Sequence, residues 1–289
     1  MKKVLILGSA GMLGHIVYLY FKSLHEYIII DTSYPFKFNE NSFLLDVSKQ
    51  DELENFISAQ QPEIVINCIG ILIKGSLSNP SNAIYLNAYL PHKLASILKP
   101  AGAKLIHIST DCVFSGNKGA YSENDFKDAR DIYGLSKALG EVDYGNHLTL
   151  RTSIVGPEIK ETGEGLFDWF MKQKGSINGY TKSFWGGVTT LELAKTIHYS
   201  LENNISGLVH VTNNIPISKY LLINLFKEVF GKTDVSLIEA PDYATDKSLL
   251  TTRKDFSYIV PDYRQMILEM HAFMLNKKEL YQKYFLEQK

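Results

Sequence analysis

Short apolar runs, spaced by stretches of mixed polarity, recur along the first half of the chain. Lys2-Lys-Val-Leu-Ile-Leu7 carries four consecutive apolar residues after two lysines. A run without polar alternation suits a strand covered on both faces, as parallel strands are. Glu26-Tyr-Ile-Ile-Ile30, the short extended piece Phe43-Leu-Leu-Asp-Val47, Glu63-Ile-Val-Ile-Asn67, Leu105-Ile-His-Ile-Ser109 and His147-Leu-Thr-Leu-Arg151 repeat the pattern. Between them, helical spacing is predicted over residues 15–22, 48–59, 81–98 and 131–144. Ser48 is placed to cap the second of these, with Asp51 and Glu52 in its first turn. Pro91 predicts a kink in the third. Strands alternating with helices argue for an α/β fold built on a doubly wound parallel sheet.

After Gly156 the rhythm loosens. Gly163, Gly165, Gly186 and Gly187 mark loops. Helices are expected over 166–174, 191–203, 218–230 and 261–274, and short strands over 208–211 and 235–238.

Composition narrows the class. A chain of 289 residues holds one large domain or one and a half, and is long enough to bury a core. The formal net charge is −1, so no basic excess points to nucleic acid or to an acidic membrane surface. Two cysteines, Cys68 and Cys112, imply a reducing, cytoplasmic compartment and no disulfide framework. No His/Cys cluster has zinc spacing, so no metal is expected. The longest apolar stretch, residues 64–73, is too short and too interrupted to span a bilayer, and no membrane association is expected. The basic start at Lys2 and Lys3 is followed by too few apolar residues for a signal peptide.

Three groups of residues carry candidate chemistry. Gly8-Ser-Ala-Gly-Met-Leu-Gly14 lies between the first strand and the first helix. Glycines there let the backbone turn tightly and approach a pyrophosphate, which the helix N-terminus attracts. The spacing is Gly-x-x-Gly-x-x-Gly rather than Gly-x-Gly-x-x-Gly, and an ordinary tight turn is the competing reading. Asp31, ending the second apolar run, is placed for a ribose hydroxyl. Ser109, Thr110 and Asp111 end the strand before Tyr133, at the side of an open α/β sheet where ligands bind. Turn chemistry alone is the alternative there. Tyr133 and Lys137 are four residues apart, on one helix face. A lysine beside a phenol lowers its pKa, and a phenol so tuned exchanges a proton with an alcohol or ketone. A solvated Tyr/Lys pair is the bland reading, and the upstream features weigh against it.

With those motifs the chain resembles the extended short-chain dehydrogenase/reductases, and within them the dTDP-4-dehydrorhamnose reductases and related nucleotide-sugar 4-ketoreductases. The resemblance runs from Met1 to about Leu201. It is carried by the glycine segment, Ile108-Ser-Thr-Asp-Cys-Val-Phe-Ser-Gly116, Tyr133-Gly-Leu-Ser-Lys-Ala-Leu-Gly-Glu141 and Leu150-Arg-Thr-Ser-Ile-Val-Gly156. It implies a Rossmann NAD(P)-binding domain over residues 1–155. A smaller mixed α/β substrate lobe over 156–289 would interleave with it.

The implied reaction is reduction of the C4 ketone of a nucleotide-linked 4-keto-6-deoxysugar in bacterial polysaccharide precursor synthesis. An epimerase, an epimerase/reductase and a non-catalytic cofactor-binding regulatory subunit remain alternatives. In the implied roles Tyr133 supplies the proton, Lys137 tunes it and bonds the nicotinamide ribose, and Thr110 orients the reacting oxygen. Gly8, Gly11, Met12, Leu13 and Gly14 wrap the pyrophosphate. Asp31 takes the adenosine ribose, and Asp46 and Val47 lie against adenine, with a helix-entry carboxylate as the other reading of Asp46. Cys68, Ile69 and Gly70 line the ribose path, and Asn87 either holds the nicotinamide side or is a polar residue on a helix face. Asp111, Cys112, Val113 and Phe114 border the sugar; Trp185, with Phe184 beside it, either stacks on a base or sugar or packs in the core.

Both NAD(H) and NADP(H) fit the family. The Asp31 carboxylate leans towards NAD(H), because it repels a 2′-phosphate. A homo-oligomer is compatible with the resemblance. Two departures, Ile154 where a tryptophan is usual and the bulky stretch 67–74 where alanines are, leave the sugar and nucleotide open.

Overall fold

The structure is a computed structural model that describes residues 1–285. Seven strands form one sheet: β1 (Lys2–Leu7), β2 (Tyr27–Ser33), β3 (Phe43–Leu44), β4 (Ile64–Asn67), β5 (Lys104–Thr110), β6 (Leu148–Thr152) and β7 (Gly207–His210). Their order is β7-β6-β5-β4-β1-β2-β3, and every neighbouring pair is parallel. The doubly wound Rossmann-like fold expected from the apolar runs is present.

Alternate residues of the central strands enter different cores. Val4 and Ile6 of β1, with Ile64, Ile66 and Ile106, pack into one cluster with α1 (Gly14–Leu24) and the helices Thr190–Glu202 and Tyr263–Leu275. Leu5 and Leu7, with Val65 and Leu105, pack into a second with Leu53 and Ile57 of the helix Gln50–Gln60 and Leu90 and Leu94 of the helix Leu90–Leu98. Both faces are thus dry, which is why the strands read as unbroken apolar runs. Strand order reverses at β1, which pairs with β2 on one side and β4 on the other. Such a reversal opens a crevice at the carboxyl ends of the strands.

Residues after 155 serve both layers. β7 extends the sheet beside β6, and the helix Thr190–Glu202 packs on α1. The remainder forms small sheets. Gly175–Tyr180 pairs in parallel with Val235–Ala240, and Ser183–Trp185 lies between Ile217–Ser218 and Thr245–Asp246.

Several local expectations are corrected. The irregularity expected at Pro91 lies just before it. Residues Ile84–Tyr89 form a widened π turn between Pro80–Ala83 and Leu90–Leu98. Proline has no N–H for the carbonyl four residues earlier and its ring crowds it, so widening the turn frees the Asn87 carbonyl. Ser48 does not cap the next helix; its hydroxyl and N–H both donate to Asp46 Oδ1, at 2.7 and 3.0 Å. The Tyr133 helix is shorter than expected, Ile132–Leu139, because Gly140 stops it against the Asn87 carbonyl.

Candidate active site

The glycine turn leaves β1 at the crevice. Gly8 has φ +86°, and a Cβ there would stand 2.9 Å from Ile69 Cγ1. The N–H groups of Gly8 and Ser9 both donate to the Thr32 carbonyl at 2.9 Å, tying the turn to β2. Gly14 begins α1 so close to the turn that a Cβ would lie 2.1 Å from the Gly8 oxygen. The first turn of α1 holds no acidic residue, so its partial positive charge is open to an anion. A phosphate cradle of this kind fits the pyrophosphate of a dinucleotide. Met12 and Gly11 are partly exposed at the turn, whereas the Leu13 side chain is buried in the core.

His15, which carries no sequence signal of its own, locks this arrangement from behind. Its Nδ1 lies 2.8 Å from the Gly11 carbonyl and its Nε2 3.0 Å from the Tyr281 hydroxyl. Burial lowers its pKa to about 4.

Asp31 is buried inside β2, not at its end. Ser9 Oγ and Ser42 Oγ donate to its Oδ2 at 2.5 and 2.6 Å, so this carboxylate braces the glycine turn. Lys37 donates to the Glu40 carbonyl in the next loop, at 3.3 Å. Asp46 is partly exposed and Val47 buried, with the Val47 carbonyl accepting from Tyr85 OH at 2.9 Å. Cys68, Ile69 and Gly70 follow β4 into the crevice. Burial pushes the Cys68 thiol up to about 12, as a packed rather than reactive side chain would be. Asn87 is the clearest departure. Its amide accepts from Ile71 N at 2.9 Å and donates to Ile71 O and Ser136 Oγ at 3.0 and 3.1 Å. It is fully buried and clasps two segments to the Tyr133 helix, with its amide turned to protein instead of to a ligand.

Thr110 ends β5, accepting from Cys112 N and donating to Asp111 Oδ1, both at 3.1 Å. The Asp131 side chain caps the Tyr133 helix, accepting from Gly134 N at 2.9 Å. That start sets the Tyr133 phenol beside Thr110, near enough for the Thr110 side chain to act on it. Burial raises the phenol pKa, the nearby Cys112 and Asp111 add to the rise, and the Thr110 bond opposes it. The expected lowering by Lys137 is not what this geometry produces. The buried Lys137 Nζ turns instead to the Ile108 carbonyl at 2.5 Å, with His107 Nε2 at 3.5 Å. Burial drops the Lys137 pKa to about 8, against a rise from Glu141.

Of the expected sugar-facing residues, Val113 and Phe114 are fully buried. Phe114 stacks on Tyr121 at 4.1 Å, with the Arg151 guanidinium over its ring at 5.1 Å, and both residues belong to a small core with Leu249. Trp185 is buried against Tyr263 in the main core, while Phe184 beside it is exposed. Asp111 and Cys112 stay at the site's edge, and burial raises both pKa values, Cys112 to about 12. Lys247, with no sequence signal to mark it, reaches Cys112 and Asp111 from the far part of the chain. Lys219 acts on Asp111 from the same side.

Behind the site, Glu141 takes Arg151 Nε and Nη2 at 2.7 and 2.6 Å and Ser109 Oγ at 2.7 Å. The cluster ties the end of the Tyr133 helix to β5 and β6. Away from the crevice, Glu26, His198 and Glu202 bring ligand-type atoms within 4.8 Å of one another next to the opposite end of β2.

The family model described as the RmlD substrate binding domain matches residues 1–248. Methionine adenosyltransferase 2 subunit beta of Danio rerio is 32% identical over 173 residues, covering 56% of this chain and 51% of that protein. The chain therefore spans about half the length of that relative. A dTDP-4-keto-6-deoxy-D-glucose reductase of Streptomyces niveus is 26% identical over 249 residues, covering 78% of each chain. Among solved structures, a dTDP-4-dehydrorhamnose reductase of Bacillus anthracis in complex with NADP superposes with TM-score 0.81 at 20% identity. That match covers 94% of this chain and 99% of that one, and shows the fold.

Proposed function

Because the chain belongs to the RmlD substrate binding domain family, we propose that it reduces the C4 ketone of a nucleotide-linked 4-keto-6-deoxysugar with a nicotinamide cofactor. The observation that carries this reading is the meeting of Thr110 and Tyr133 at the carboxyl end of β5, with Lys137 buried on the same helix. Fold likeness alone would not carry it, since many chemistries share this scaffold.

The Gly8–Gly14 turn and the α1 N-terminus would hold the pyrophosphate. Asp31, its Oδ2 already bound to two hydroxyls, would offer Oδ1 to the adenosine ribose and would disfavour a 2′-phosphate. The bound reduced nicotinamide contributes the hydride. The protein's part is the proton and the oxygen's surroundings. A ketone oxygen placed against Tyr133 would receive its hydrogen bond, and a second from Thr110 once that hydroxyl turns from Asp111 Oδ1; both strengthen as negative charge builds on the oxygen. Tyr133 then gives that oxygen its phenolic proton. Burial holds the phenol protonated at neutral pH, which is the form that reduction consumes. Lys219 and Lys247 supply positive charge on the side of Asp111, where an anionic substrate would lie.

A second reading is favoured by the Danio rerio relative: a cofactor-binding regulatory subunit. One experiment separates the two. NADH and NADPH oxidation is followed with dTDP- and UDP-4-keto-6-deoxysugars, wild type beside Tyr133→Phe. The reductase reading expects turnover with one donor and cofactor, reduced about 10²–10⁴-fold in the variant. Tight cofactor binding with no oxidation by any donor, together with a changed rate of an added methionine adenosyltransferase, would establish the regulatory reading instead.

A further inference from the structure

His107 lies under Lys137, fully buried in β5, and sits beside Asn67 of β4 in the parallel register. Its surroundings hold two hydrogen-bond donors. The Ile69 N–H donates to Asn67 Oδ1 at 3.1 Å, and a backbone N–H can only donate, so the amide orientation is fixed. The Asn67 Nδ2 group therefore points its N–H at His107 Nδ1, 3.3 Å away. On the other side Lys137 Nζ stands 3.5 Å from His107 Nε2. Burial and the nearby charge of Lys137 hold the His107 pKa well below its usual value, so the ring stays neutral. A neutral imidazole has one lone pair and one N–H.

We propose that His107 switches tautomer with the protonation of Lys137, because Asn67 and Lys137 compete for its single lone pair. When Lys137 is an ammonium, Nε2 accepts from it, and the Nδ1 proton confronts the Asn67 N–H. When Lys137 is a neutral amine, Nε2–H donates to the amine, and Nδ1 accepts from Asn67. The ring keeps one proton throughout; in a titration the proton that leaves Lys137 goes to solvent. Asn67 thereby favours the neutral amine. The other groups acting on Lys137 are the Ile108 carbonyl, which accepts in either state, and Glu141, which favours the ammonium. His92 acts on the far side of His107. The consequence for turnover rests on the reductase reading: Asn67 and His107 would be positioning residues that set how readily Lys137 releases a proton towards Tyr133.

The switch is tested without substrate, so its failure and the failure of the reductase reading are distinguishable. Nitrogen NMR of the full chain with labelled histidine, His107 assigned through His107→Gln, is recorded from about pH 6 to about pH 10 beside the Lys137 side-chain carbon. The proposal expects the two ring nitrogens to exchange protonated and unprotonated shifts at the Lys137 midpoint. A ring that keeps one tautomer throughout, whether or not Lys137 titrates, overturns it. Asn67→Leu, which removes the rival donor without adding charge, should raise the Lys137 midpoint by about one unit, a tenfold gain in proton affinity. An unchanged or lowered midpoint in that variant overturns the role given to Asn67.

Discussion

His210 and His107 are both neutral imidazoles buried in the same sheet, yet their surroundings differ in kind. His210 Nε2 accepts from Arg151 Nη1 at 2.7 Å, and its Nδ1 donates to the Leu250 carbonyl at 2.9 Å. One donor and one acceptor face it, so a single tautomer satisfies both. Its neighbours are equally complete: Arg151 has Glu141, and Glu141 has Ser109 and Lys127 as well. His107 meets two donors and cannot satisfy both. Buried polar groups that are fully paired fix a structure, whereas an unsatisfied set keeps two states near one another in energy. The first cluster holds strand ends and helix in register. The second sits beside Lys137, where the reductase reading needs a proton to move.

Breaking the satisfied cluster should give the largest effect on stability. Glu141→Ala leaves the buried Arg151 without its carboxylate and should cost about 3–5 kcal/mol, read as a lower midpoint in urea at unchanged slope. A loss of under about 1 kcal/mol would show that water replaces the pair.

A smaller effect should follow from acid. His210 and His15 have pKa values lowered to about 4 by burial, below the model-peptide value of 6.5. The unfolded chain thus binds more protons between those values, and stability falls as pH falls through that window. The contribution is complete above about pH 6.5 and should shrink by about 2 kcal/mol per histidine on reaching pH 5. Urea unfolding at pH 7 and pH 5 checks it, with His210→Gln removing one share of the difference. An equal pH dependence in wild type and variant would assign the acid sensitivity to other groups.

The same contrast explains what was legible in the sequence. Runs such as Val4-Leu-Ile-Leu7 reveal buried parallel strands because both faces are dry. Gly175–Tyr180, with the sequence Gly-Ser-Ile-Asn-Gly-Tyr, gave no such signal, because most of its side chains are exposed and its pairing with Val235–Ala240 comes from far along the chain. Gly8, Gly14, Thr110, Tyr133 and Lys137 could be singled out as candidates because turn chemistry and helix spacing are local. What hangs on contacts between distant segments could not. Lys247 reaching Cys112, Tyr281 behind His15, and the shared ring of His107 belong to that class. Phe114 was misplaced, and Trp185 left open between sugar and core, for a related reason: an aromatic beside a candidate site segment looks the same in sequence whether it faces ligand or core.

The smallest predicted effect sharpens the comparison at the Tyr133 helix itself. Asp131 accepts from Gly134 N at 2.9 Å, and an N-cap carboxylate also favours the helix dipole. Asp131→Ala should cost about 1 kcal/mol of global stability, well below the loss from Glu141→Ala. The helix Ile132–Leu139 has only eight residues and is anchored at its far end by the Glu141 cluster, so fraying should stay in the first turn. Tyr133 lies in that turn, and Lys137 one turn deeper. Under the reductase reading, turnover should therefore fall more than stability, because the phenol loses its register with Thr110 while Lys137 keeps its own. Asp131→Asn, which retains the accepting oxygen, should restore most of both. If Asp131→Ala lowers stability as expected but leaves turnover unchanged, the cap does not position Tyr133, and the catalytic geometry is held by the Thr110 contact alone.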